Sequence, residues 1–159
     1  MALKFFHLSG SRLIFGFHTS FMASNHSELS NSEFLYSLQN CCLDPDLFNH
    51  EAHLRLAYLQ LSKNPLNKAA KFTSKIIQKY VIHLGAQDKY HHTLTIAAVH
   101  IVAHFKDKST TQGFENLIKE FPRLTSNFKS LINTHYSPVV LQSSRSKLVF
   151  VEPDLLTFA

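Results

Sequence analysis

Eleven histidines stand in a chain of 159 residues, and some of them are spaced for joint chemistry. His50 with His53 and His100 with His104 have the i,i+3 and i,i+4 spacings that bring two imidazoles together on a helix surface. Imidazole nitrogens ligate zinc, iron, copper or nickel, and helical bundles build metal sites from facing helices. With His91 from a later segment, His50 and His53 would offer three neutral nitrogens and leave a position for water or substrate. Tyr90, Thr93 and Thr95 would then be the hydrogen bonders behind those ligands. The expected occupant is a divalent transition metal, zinc or iron, or a small molecule. A histidine between helices can also be a hydrogen-bonded core residue, or work alone as an acid or base because it titrates near neutrality.

Other chemistries lack their residues. No nucleophile elbow, phosphate loop, dinucleotide fingerprint or zinc-finger spacing is present. Asn49-His50-Glu51-Ala52-His53 brings the second histidine one residue too early for H-E-x-x-H, and no inward Glu-x-x-His pairs suggest a di-iron bundle. Cys41 and Cys42 are sequence neighbours, unsuited to bridging each other, and are expected to be structural thiols in a reducing cytoplasm.

Length and composition limit the elements that must position these groups. At 45% hydrophobic and 17% charged residues, without an 18-residue apolar run, the chain should fold as one helical domain with no membrane span. Residues 1–25 are basic, acid-free and outside this fold, either disordered or an over-extended start with Met22 as the initiator; the domain is residues 26–159. Ser30-x-x-Glu33 has the form of a capping box ahead of Phe34, Leu35 and Leu38. Asp44-Pro45 opens a second helix to about Lys63, and Asn64-Pro65 a third that Gly85 stops. Asp88 caps a fourth helix to about Lys106, and shorter helices follow near Phe114–Glu120 and Ser126–His135. From Pro138 onward the Val139-Val140-Leu141 and Leu148–Val151 runs read as extended segments or a hairpin laid on the helices. The expected fold is all-α, a four-helix bundle core with additional short helices and an extended C-terminal tail.

Periodicity assigns faces. The second helix groups Leu47, His50, Leu54, Ala57, Tyr58 and Leu61, with His53 beside His50 and with Glu51 and Arg55 turned away. Phe48, Leu56 and Leu59 form a second apolar side that would suit a homo-oligomer interface. The fourth groups Tyr90, Leu94, Ala97, Ala98, Ile101 and Phe105. On the third helix Lys68, Lys71, Lys75 and Lys79 make one stripe, opposite Ala69, Phe72, Ile76, Tyr80 and Leu84. With no aromatic residue among these lysines, and a net charge of only +5, nucleic acid is not expected.

Three segments, Phe48-x-His50-x-x-His53-Leu54-Arg55-Leu56-Ala57, Lys89-Tyr90-His91-x-Thr93-Leu94-Thr95 and Glu152-Pro153-Asp154-Leu155-Leu156, resemble a group of small, mostly bacterial helical proteins with no established activity. The resemblance runs from about Leu43 to the C-terminus. It implies that His50, His53, Tyr90, His91, Thr93 and Thr95 are the positions to watch, while His92 stands where an acidic residue would be expected. Two functions follow as expectations. One is a His-lined metal or small-molecule site between the second and fourth helices. The other is an interaction module that offers an apolar groove, or the lysine stripe, to an acidic protein.

Overall fold

The computed structural model describes residues 23–158. Among them are nine helices and no strand. The order is α1 (Asn31–Gln39), α2 (His50–Leu61), α3 (Leu66–His83), α4 (His92–Lys108), α5 (Phe114–Glu120), α6 (Arg123–Ser126), α7 (Phe128–His135), α8 (Pro138–Gln142) and α9 (Ser144–Leu148), with one-turn 3-10 segments at His26–Glu28, Pro45–Leu47 and Gln87–Lys89. Helices α1 to α4 form the bundle core, in which α3 packs on α1, α2 and α4, and α2 also packs on α4. Of the shorter helices, α7 and α9 pack on α4 and α5 packs on α2, while α6 bridges α5 and α7 and α8 lies on α9.

Local chemistry explains the starts and stops. Ser30 accepts the amide of Glu33, whose carboxylate accepts the amide of Ser30, so the capping box is complete. Two helices end in the same way, with a left-handed residue beyond the C-cap and a bond from the next amide to a carbonyl five residues back. Gly85, at φ +65°, serves α3 through Ala86 N–H to Val81 O. Cys41, at φ +57°, serves α1 through Cys42 N–H to Ser37 O, although its Cβ makes that conformation unfavourable.

Several expectations need correction. Asp44-Pro45 opens only a 3-10 turn; α2 begins at His50, capped by Asn49, which accepts the Ala52 amide at 3.0 Å. The stretch after Asp88 is another 3-10 turn, and α4 takes His91 as its N-cap. Val139-Val140-Leu141 is not β-like: Ser137 caps it and Pro138 sits at its first position, so it forms α8. Val149 does leave α9 with extended backbone. The expectation for residues 1–25 falls mainly outside the described residues, but Asn25 caps the first 3-10 turn and Ser24 donates to Glu28 at 2.6 Å.

Two apolar clusters hold the bundle. One joins α2, α4, α5, α6 and α7 through Leu54, Ala97, Val102, Leu117, Leu124 and Ile132. The other joins α1, α2 and α3 through Phe34, Leu38, Phe48, Leu56, Ile77 and Tyr80. Phe48, Leu56 and Leu59 are therefore covered within the chain, by α1 and α3, and are not a homo-oligomer interface. Arg55 is buried rather than turned outward. Its guanidinium donates to the His26 and Leu29 carbonyls and to Asn31 Oδ1, and lies 4.7 Å over the Phe34 ring, tying the N-terminal strap to α2.

Candidate functional site

Where the two clusters meet lies a cavity of about 140 Å³. Helix α2 contributes His50 and His53, the turn before α4 contributes Lys89, Tyr90 and His91, and α4 itself contributes Thr95. His50 and His53 and the Tyr90/His91 segment therefore border the same cavity. Thr93 lies elsewhere: it donates to Val149 O at 2.9 Å and accepts the Val151 amide at 3.1 Å, holding the tail. The remaining wall is mostly apolar, with Leu54 and Ala57 of α2, Ile77 and Val81 of α3, Leu94 and Val99 of α4, and Phe128 and Ile132 of α7.

Hydrogen bonds fix the histidine tautomers, because a carbonyl oxygen only accepts. His50 donates from Nε2 to Leu124 O at 2.9 Å, and its ring lies 4.9 Å from that of Phe128. His53 donates from Nδ1 to Asn49 O at 2.7 Å and stacks on Phe48, centroids 3.9 Å apart. His91 donates from Nε2 to Leu141 O at 2.9 Å while its Nδ1 accepts the Leu94 amide at 3.3 Å, so backbone groups engage both ring nitrogens. Among the described residues, no three His, Cys, Asp or Glu side chains are grouped to hold a metal ion.

Burial keeps these rings neutral. It lowers the pKa of His53 to about 4, against the opposing pull of the Asn49 carbonyl, and His50 nearby lowers it further. Burial also lowers His50 and His91, each partly offset by its carbonyl partner. Tyr90 is held by a small network in which its hydroxyl meets Ser74 Oγ at 2.8 Å and His92 Nδ1 at 2.9 Å. His92 thus anchors this tyrosine. Lys89 is the one lining ammonium, and no carboxylate lines the cavity among the described residues.

Sequence periodicity misses one polar residue of this wall. Thr73 of α3 lines the cavity at 2% exposure, and its hydroxyl has no hydrogen-bond partner among the described residues. The available signal was a polar β-branched residue within the run Ala69, Ala70, Thr73, Ile77, Val81. That run, not one containing Phe72, is the buried face of α3. Phe72 is 41% exposed, on the same side as the solvent-exposed Lys68, Lys71, Lys75 and Lys79. An aromatic ring therefore does interleave the lysines. Lys79 also donates to the Gln39 carbonyl at the end of α1.

The His100–His104 pair is separate from this cavity. His100 stacks on Phe158, centroids 4.6 Å apart, and both histidines line a different cavity under the C-terminal tail. Comparison of the chain with family models, curated proteins and solved structures finds no match.

Proposed function

We propose that this protein binds a small, mainly apolar, uncharged molecule in the cavity between α2, α3 and α4. The observation that carries the reading is Thr73, a buried hydroxyl without a protein partner in an otherwise largely apolar wall. A few placed polar groups in an apolar pocket are the usual composition of small-molecule sites. A cavity of about 150 Å³ with aliphatic and aromatic walls holds benzene, so about 140 Å³ suits a ring of that size. Without a lining carboxylate a cation has no counter-charge, and against a mostly apolar wall with neutral imidazoles an anion would meet the single ammonium of Lys89. Between a metal and a small molecule, the engagement of both His91 nitrogens by backbone groups favours the molecule.

Thermal-shift titration with phenol and toluene tests the proposal. Both should raise the melting temperature, phenol more than toluene because its hydroxyl reaches Thr73, and Ala57→Leu should abolish both effects by filling the cavity. No shift at saturating phenol, or an undiminished shift in the Ala57→Leu variant, would contradict it.

A second reading, docking of an acidic protein on α3, is favoured by exposed Phe72 beside the four lysines. Charge reversal of Lys71 and Lys75 should then abolish capture of that partner and leave phenol binding intact. Free Cys41 and Cys42 accord with a reducing cytoplasm as the place of action. No described helix is long and apolar enough to cross a membrane.

A further inference from the structure

A third cavity, of about 230 Å³, lies where the N-terminal strap meets α2 and the start of α5. Its chemistry differs from the first. His26, 1% exposed, lines it with neither ring nitrogen hydrogen-bonded among the described residues, and its Nε2 lies 3.7 Å from Glu51 Oε1. Glu51 and Glu115 add two carboxylates, and the Phe114 ring adds an apolar wall. Arg55 also borders the cavity, but its guanidinium is committed: Nε and one amino group bond Asn31 Oδ1, and the amino groups also bond the His26 and Leu29 carbonyls.

From these residues we infer that this cavity is a binding site for an organic ammonium ion. Two carboxylates against one guanidinium leave a net charge of about −1, and the groups facing the space are rich in acceptors. An anion would need donors, and the guanidinium has already spent most of its own on the strap. A metal would need three ligands together, and no such group exists among the described residues. A primary ammonium supplies three N–H donors for the carboxylates and a nitrogen of His26, while a short alkyl tail rests on Phe114. The volume, roughly that of seven waters, admits such a head and several carbons. This site is independent of the apolar cavity proposed above.

The test is a titration of the full chain with n-butylammonium at low salt, followed by calorimetry and by the His26 ring signals in NMR. Tetramethylammonium, with equal charge and no N–H, is the comparison. Saturable binding that moves the His26 signals is expected, at least tenfold weaker with tetramethylammonium and at least tenfold weaker in Glu51→Gln/Glu115→Gln. If circular dichroism shows that the double variant is unfolded, Glu115→Gln alone is read, because that side chain is on the exposed start of α5. The inference is overturned if His26 signals stay fixed at saturating n-butylammonium, if tetramethylammonium binds equally well, or if folded carboxamide variants bind undiminished. Movement of those signals by zinc alone would overturn it in favour of a metal.

Discussion

Thr73→Val removes one hydroxyl and keeps the shape and β-branching of the side chain, so it isolates the cost of a buried, unpartnered polar atom. Leaving such a group unsatisfied costs about 1–3 kcal/mol, and Thr73 is 2% exposed with no bond to its Oγ1. The helix propensities of threonine and valine are similar, so the backbone should not contribute. The variant should therefore be more stable by about 1–2 kcal/mol, a rise in melting temperature of roughly 2–8 °C for a chain of this size. Chemical denaturation with the m-value checked for constancy gives the free energy, and calorimetry gives the temperature. The same variant should lose most of the advantage of phenol over toluene as a stabilising ligand. A less stable Thr73→Val protein would mean that the hydroxyl already has a bonded partner in the free protein, and the reasoning from an unsatisfied group would fail.

Three further outcomes follow from the structure. His26 is buried and its pKa is lowered to about 4 by burial and by nearby Arg55, so between pH 6.5 and 4 the unfolded chain binds the proton more readily. Stability should be full above pH 7 and fall by about 3 kcal/mol from this residue alone as pH drops to 4, with His53 acting in the same direction; urea midpoints across that range check it, and a flat profile would contradict it. Cys41→Gly should relieve the left-handed strain at the end of α1 and stabilise the protein by about 1 kcal/mol, read by thermal unfolding. Arg55→Lys keeps the charge but loses the fork that spans two carbonyls and Asn31, and should cost at least about 2 kcal/mol; hydrogen exchange should show the strap at His26–Leu29 opening first.

What could be read from the chain was what its near neighbours decide. The Ser30/Glu33 capping box and the stop at Gly85 depend on bonds within a few residues, and both are present. Helical spacing likewise puts His50 and His53 on one side of α2, and both line the cavity. The orientation of α3 was not legible. Periodicity alone placed Phe72 inward, but the buried face of α3 carries the small residues Ala69, Ala70, Thr73 and Ser74, and Ala69 and Ala70 share a cluster with Ala57 and Ala97. With that face inward, Phe72 falls on the exposed side and Thr73 in the cavity wall. Phe128 and Ile132, from a helix far along the chain, were unreadable as lining residues because periodicity does not order helices in space. The carbonyl partners of His50 and His91, Leu124 and Leu141, belong to the same class of long-range contact.

The most direct test of the central claim is a phenol titration followed by ¹³C-methyl NMR of the full chain. The account predicts saturable shifts confined to the methyls around the cavity, among them Leu54, Ala57, Thr73, Ile77, Leu94 and Val99, with exposed Val139 unmoved. Shifts at exposed methyls alone, or none at saturating phenol, would contradict it.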